Sequence, residues 1–387
     1  MELSYWEKKS FIGVPDLAVI GSGIVGLNAA ITFKNANPSA HVVVLERSWL
    51  PLGASTKNAG FACFGSPTEL LSDFESMPSK NVLDTVRMRL TGLSKLRKRL
   101  GDETIGYIPC GGYEVFDTTT SFDACADKLS WLNKQLKEIT ASKETFITAH
   151  HIPKKMSMKG FSSCIASPLE GQIDTGKMMH SLLKFAQSLG VVVLNCSMVS
   201  AIEQLSSKVL IELDNKVSFK CANLILATNG FARKLFPDLP VSPARSQVLI
   251  TSPVEQLKLN GVFHYEEGYF YFRNVGNRVL LGGGRHLDFE KEATDEFGIT
   301  QKIQRKLDRL LRTKILPGKK YTIEHRWSGI MGLGKEKKPI IKKLSKNVVA
   351  AVRMGGMGVA IGTLVGDRKS TRLNSSHTDI SRMPSSA

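Results

Sequence analysis

Apolar positions change period early in the chain, and the change falls on glycine. Leu17-Ala-Val-Ile20 is an unbroken apolar run, the pattern of a strand covered on both faces. It enters Gly21-Ser-Gly-Ile-Val-Gly26, beyond which Leu27, Ala29, Ala30 and Ile31 continue at helical spacing. A second apolar run, Val42-Val-Val-Leu45, ends in Glu46, and Asn37-Pro38 breaks the chain between helix and strand. The pattern predicts a βαβ unit over residues 17–46.

Further along, the periodicity predicts helices at about 67–77 and 80–100, the second with Leu83, Val86, Leu90, Leu93 and Leu100 near a 3.6 period. A strand is expected over 111–116, a helix carrying Trp131 over 121–139, and a helix over 173–189 opened by Asp174-Thr175. Short apolar runs at 191–194, 198–204, 208–213, 217–221 and 224–227 read as an αβ and meander segment that ends in the polar turn Thr228-Asn-Gly230. Residues 241–286 are strand-rich, and a long helix over 293–316 stops at Pro317-Gly318. The last strand, 347–352, enters Arg353-Met-Gly-Gly-Met-Gly-Val-Ala-Ile-Gly362, a second glycine-rich strand-to-helix junction. No internal repeat is visible.

The first junction has the chemistry of a dinucleotide cradle. Gly21 permits the tight turn, Gly23 lets the backbone approach a pyrophosphate, and Gly26 lets the helix pack on the strand. Ile24 and Val25 lie at the helix N-terminus, whose free N–H groups meet the phosphates. Glu46 stands 20 residues beyond Gly26, a spacing that suits a carboxylate on the ribose hydroxyls. The loop Gly53-Ala-Ser-Thr-Lys-Asn-Ala-Gly60 is small and polar, as a loop passing a planar cofactor needs to be.

Composition narrows the class. No apolar run reaches membrane-spanning length and Met1–Ser10 has no signal-peptide core, so a cytoplasmic location is expected, with peripheral membrane association left open. Six scattered cysteines lack metal-ligand spacing, so no metal is expected. The formal charge is +17 over 387 residues. From Arg368 onward the chain, with six serines and no helical period, resembles a translated sequencing adapter and is set aside from fold reasoning. That tail holds four Lys/Arg and one Asp, so the rest still carries +14. The basic clusters at Lys95–Arg99 and Lys302–Lys314 fall on amphipathic patterns and read as solvated faces; a third lies at Lys335–Lys346.

Four separated stretches coincide with one pattern. They are Val19-Ile-Gly-Ser-Gly-Ile-Val-Gly26 with Leu45-Glu46-Arg47, Gly53–Gly60, Leu226-Ala-Thr-Asn-Gly230, and Gly355-Gly-Met-Gly-Val-Ala-Ile-Gly362. In their order and spacing the chain resembles the FAD-dependent oxidoreductases of the D-amino-acid-oxidase-like family, over residues 1 to about 366. This group includes glycine and sarcosine oxidases, D-amino-acid dehydrogenases and gamma-glutamylputrescine oxidase. The resemblance implies an α/β fold: a Rossmann-like FAD-binding domain of the glutathione-reductase type, with an inserted α+β substrate domain on an antiparallel or mixed sheet. The expected division is FAD-binding parts at 1–104, 166–240 and 326–367, substrate parts at 105–165 and 241–325, and the adapter-like tail at 368–387.

The resemblance also implies roles. Gly21, Gly23 and Gly26 would hold the pyrophosphate, Glu46 the adenosine ribose and Val199 the adenine, with Arg47 also at the cofactor. Ala54, Ser55, Thr56, Lys57, Asn58, Ala59 and Gly60 would line the pyrophosphate and ring, with Ala227, Thr228, Asn229 and Gly230 nearby. Gly355, Gly356, Met357, Gly358, Val359 and Ala360 would bring a helix N-terminus to the flavin N1–C2=O edge, where negative charge grows. An amine bound neutral could pass its α-hydride to N5, so no acid/base residue is strictly needed.

Departures from the family pattern shape the substrate expectation. Where glycine and D-amino-acid oxidases carry an arginine for the substrate carboxylate, this chain has Met331, in Trp327-Ser-Gly-Ile-Met-Gly332. Arg273 could supply that clamp, Tyr271 could cover the flavin, and His325 could act as a base; each is also readable as structural, Tyr271 more readily as core. Covalent attachment is not expected, because no cysteine stands near Met331 and the Ser55–Gly60 loop has no histidine. The leading expectation is non-covalent FAD oxidising a C–N bond of a small amine or amino-acid-like substrate, with oxygen or quinone as acceptor. The alternatives are oxidation of a modified tRNA base, for which the chain shows no RNA-binding module; oxidation of a 2-hydroxy acid; and an NAD-dependent Rossmann enzyme without flavin.

Overall fold

The computed structural model describes residues 3–378. The chain forms two compact units: residues 1–56, 176–242 and 331–387 make the first, and residues 57–175 and 243–330 the second. Residues 57–104, expected in the FAD-binding domain, belong to the second unit. The helices Pro67–Ser76 and Ser79–Leu100 bury Leu70, Val82 and Val86 against Phe116, Phe122, Leu132 and Ile165. The apolar stripe of a helix goes where it finds a partner, which helical periodicity does not specify.

The first unit is built on a six-stranded sheet. Its order is Ile340–Lys343, Val348–Val352, Asn223–Leu226, Leu17–Ile20, Val42–Leu45 and Val192–Leu194. All neighbours are parallel except the Ile340–Lys343 edge. Leu17–Ile20 and Val42–Leu45 are buried along their whole length, as their unbroken apolar runs require. The helix Ile24–Ala36 follows the central strand, and the helix Gly358–Thr378 follows Val348–Val352. These two helices pack directly on one another. A Cβ on Gly362 would stand 2.7 Å from Ile24 Cγ2, and one on Gly366 would stand 2.7 Å from the Val25 carbonyl oxygen. Thr32 Oγ1 donates to Asp367 Oδ1 at 2.7 Å. The second helix runs on through the start of the adapter-like tail; residues 379–387 lie outside the described residues.

The second unit is organised by an eight-stranded mixed sheet, within which Val262–Tyr265 pairs in parallel with Gly112–Phe116 and antiparallel with Phe270–Val275. Its largest core stacks Phe263 on Phe272 at 4.9 Å and 4° and adds Phe270, Leu281, Leu307 and Leu311. Two expected helices differ. The span 121–139 divides into Thr119–Ala126 and Leu129–Thr140, separated by Asp127–Lys128. The span 293–316 begins only at Gln301, because Gly298 takes φ +149°, closed to a helix, and the last turn, Leu311–Ile315, widens to π geometry.

Candidate functional site

The cradle at the carboxyl end of Leu17–Ile20 is assembled by close backbone approach. Gly21 has φ +104°, and a Cβ there would meet the Ala227 carbonyl oxygen at 2.9 Å. A Cβ on Gly26 would stand 1.9 Å from the Gly21 carbonyl oxygen, so only glycine closes this turn. Gly23 caps the helix Ile24–Ala36 in an extended conformation and offers no side chain to its N–H groups. The Ile24 N–H donates instead to Ser55 Oγ at 3.0 Å, which places the 53–56 segment at the helix N-terminus.

Glu46 is buried beside the cradle. Ser22 donates to its Oε2 from both N–H, at 3.2 Å, and Oγ, at 2.7 Å, and the Ser48 N–H donates to Oε1 at 3.3 Å. A carboxylate accepts about four hydrogen bonds, so capacity remains for a sugar hydroxyl. Ser22, wholly buried and absent from the motif reading, fixes the carboxylate. Arg47 stacks on Phe231, its guanidinium carbon 3.8 Å from the ring centroid. Val199 opens the strand Val199–Gln204, opposite Leu213.

The turn Thr228-Asn229-Gly230 joins the two glycine junctions. Asn229 has φ +48°, and its Oδ1 accepts from the Arg353 and Met354 N–H groups, each at 3.1 Å. Thr228 Oγ1 is buried without a partner, as a group that meets a bound ligand would be. Arg353, itself at φ +66°, donates to the Lys338 and Pro240 carbonyls and to Glu336. Gly355 and Gly356 follow at φ +60° and +80°, and the helix begins at Gly358, with Val359 and Ala360 buried and Met357 half-buried. Met331 lies here too, its Sδ 3.5 Å from where a Cβ on Gly356 would stand. Both glycine junctions follow strands of one direction in one sheet, so the two helix N-termini open on the same edge. Such an edge binds an elongated anionic ligand. The orphan Thr228 hydroxyl, the glycines that exclude a Cβ and the remaining acceptor capacity of Glu46 all fit a dinucleotide.

In the second unit the 57–60 segment is held by Arg273, which is buried on Phe270–Val275. Its guanidinium donates to the Ala59 carbonyl, to Gln172 Oε1 at 2.9 Å and to the Ile173 carbonyl at 3.1 Å. Burial lowers its pKa to about 10, leaving it charged at neutral pH. Arg273, which the sequence offered as a carboxylate clamp, here fastens the loop through main-chain carbonyls and Gln172. Asn58 Oδ1 adds to the fastening by accepting from the Gly60 N–H at 2.8 Å and Thr175 Oγ1 at 2.9 Å. Thr56 Oγ1, in the first unit, donates to the Pro51 carbonyl at 2.6 Å.

Tyr271 is half-buried, in a cluster with Phe61, Ile250 and Trp327 around Ala59. Its hydroxyl lies 2.8 Å from Ser246 Oγ, and burial raises its pKa. The ring lies across Gly282, where a Cβ would stand 2.5 Å from it. His325 is exposed on the strand Ile323–Leu333.

A further polar cluster escaped the motif search. Buried Glu114 accepts from the Thr68 N–H at 2.9 Å and from the hydroxyls of Thr68 and Ser66, while buried Glu170 accepts from the Phe64 N–H at 3.0 Å. Burial raises Glu114 to about 7 and Glu170 to about 8, and it lowers neighbouring His264 to about 4. Isolated acids between apolar runs carry no periodic signal.

A family profile described as DAO, FAD dependent oxidoreductase, matches residues 16–368. The chain belongs to this DAO family of FAD-dependent oxidoreductases. Among the described residues no helix is long and apolar enough to cross a membrane. The chain is 26% identical over 324 residues to the bifunctional protein ThiO/ThiG of Synechocystis, covering 81% of this chain and 44% of that protein. It therefore spans less than half the length of that relative. Among solved structures, L-proline dehydrogenase from P. horikoshii matches with a TM-score of 0.73 at 15% identity, over 94% of each chain. Glycine oxidase from Bacillus cereus matches with a TM-score of 0.72 at 17% identity, over 94% of this chain and 95% of that one. Iminodiacetate oxidase from Chelativorans matches with a TM-score of 0.72 at 18% identity, over 93% and 95%. These likenesses establish the DAO fold, with its FAD-binding α/β architecture and mixed sheets.

Proposed function

We propose that this DAO-family chain oxidises a C–N bond of a small amine or amino-acid-like substrate, with FAD bound non-covalently. The observation that carries the reading is the pair of helix N-termini, at Ile24 and Gly358, opening on one edge of one sheet. In this reading Gly21, Gly23 and Gly26 receive the pyrophosphate, Glu46 the adenosine ribose and Val199 the adenine, and the Gly358 end faces the flavin. When bound, FAD supplies a hydride acceptor whose reduced ring is favoured by a helix dipole. The similar solved structures named above are a glycine oxidase, a proline dehydrogenase and an iminodiacetate oxidase, whose named substrates are all amine-bearing acids. That supports a C–N bond over the C–O bond of a 2-hydroxy acid. Met331 cannot grip a carboxylate, which separates this site from the arginine-bearing pattern.

Anaerobic bleaching of the bound flavin by a panel of amines, N-alkyl amino acids and 2-hydroxy acids tests this. At least one nitrogen compound should bleach it and no 2-hydroxy acid should. A purified protein without the yellow flavin bands, or one bleached only by hydroxy acids, would overturn the reading. Reoxidation in air separates oxygen from quinone as acceptor.

A further inference from the structure

The second unit contains a hollow whose lining shares only Lys57 with the residues the flavin reading names. It has a volume of about 300 Å³, and its wall includes Lys57, Phe297, Gly298, Arg326, Trp327 and Ser328. Its chemistry is one-sided: two cations and two aromatic rings line it, and no carboxylate does. One cation is already neutralised. Arg326 Nη2 donates to both oxygens of Asp308, at 2.8 and 3.1 Å, and Nη1 donates to Gln304.

The other cation is poised differently. Lys57 Nζ lies 5.2 Å from the centroid of the Phe297 ring, and no carboxylate of the described residues pairs with it. Its main chain is held, because the Trp327 Nε1–H donates to the Lys57 carbonyl at 3.0 Å. A Cβ on Gly329 would stand 3.2 Å from Lys57 Cβ, so glycine there lets the lysine stem lie against the strand. Opposite, the Gly298 N–H donates to Ser328 Oγ at 2.9 Å and holds the wall that carries Phe297. Lys57 is half-buried with its ammonium beside the Phe297 ring, and an anion meeting a cation at a partly enclosed site gains more than it would at an open surface. The cavity is at the lower end of the size range of small-molecule sites.

We propose that this cavity binds a small organic acid, its carboxylate on the Lys57 ammonium and its apolar or aromatic body between Trp327 and Phe297. The site goes beyond the oxidation reading, since binding requires neither flavin reduction nor an amine on the acid. The test is a titration of the flavin-loaded protein with 3-phenylpropanoate and, separately, its neutral counterpart 3-phenylpropanamide, followed by tryptophan fluorescence and by calorimetry.

The acid should bind at least about tenfold more tightly than the amide, a preference worth about 1.4 kcal/mol. Lys57→Met should abolish the preference and Lys57→Arg should keep it. Trp327→Phe should remove most of the fluorescence response while calorimetry still records binding. Equal affinity for acid and amide in the unaltered protein, which needs no variant to fold, would overturn the proposal. So would a preference that survives Lys57→Met. A protein whose flavin no amine reduces would sink the oxidation reading alone.

Discussion

Single residues do unequal work in the cradle, and the inequality is steric. Gly26 is fixed by the Gly21 carbonyl, 1.9 Å from where its Cβ would stand, so Gly26→Ala must push the helix off the strand. Overpacking of this kind costs about 1–3 kcal/mol; the ratio of flavin to protein absorbance should fall together with the melting temperature. Arg273 invites a different prediction. Replacing it with methionine leaves the Ala59 and Ile173 carbonyls and Gln172 Oε1 without their donor. Each buried acceptor so exposed costs about 1–3 kcal/mol. Denaturant unfolding of Arg273→Met should therefore show a large stability loss; an unchanged stability with a raised KM would restore the clamp role.

At the scale of elements, two contacts decide behaviour that no single motif announces. The helices Ile24–Ala36 and Gly358–Thr378 touch through glycine, and a methyl at Gly366 would enter within 2.8 Å of Asn28 Cβ and 2.9 Å of the Ala29 nitrogen. Gly366→Ala should lower the melting temperature more than an alanine at Gly53, where a Cβ meets nothing within 4 Å. The segment 64–68 is pinned by Glu114 and Glu170, whose folded pKa values of about 7 and about 8 lie above their ordinary 4.5. A raised carboxyl stabilises the fold below its unfolded pKa, and that stability is lost as pH rises to the folded value. His264, lowered to about 4, acts in the opposite sense, but only below pH 6.5. From pH 6.5 to 8 the two carboxyls therefore dominate this cluster. Unfolding free energy should fall with a slope of up to about 1.4 kcal/mol per pH unit for each group still protonated. Glu170→Gln should flatten that slope; an identical slope would refute the assignment.

For the whole molecule, charge and the adapter-like tail are the features to separate. The tail contributes four of the Lys/Arg residues and one Asp, and without it the chain keeps a formal charge of +14. The Thr32–Asp367 hydrogen bond joins the two helices of the first unit immediately before the tail. Deleting residues 368–387 should accordingly leave flavin content and unfolding midpoint unchanged. A loss of flavin on deletion would show that the tail's helical turns carry part of the binding.

Where one residue's neighbours in sequence determine its conformation, the chain was legible unaided. The runs Leu17–Ile20 and Val42–Leu45, the glycine turn between strand and helix and the closing junction before Gly358 all follow from local sterics and the periods of strand and helix. Ordered as they are, those motifs also pointed to the DAO family. What tertiary structure alone decided is which distant groups become neighbours. Arg273 meets the Ala59 carbonyl across 214 residues, and the helices of 67–100 join the second unit. Glu114 and Glu170 become neutral-leaning acids only because the fold buries them. Donor pairing and desolvation depend on what surrounds a side chain in space, and no periodicity along the chain encodes that.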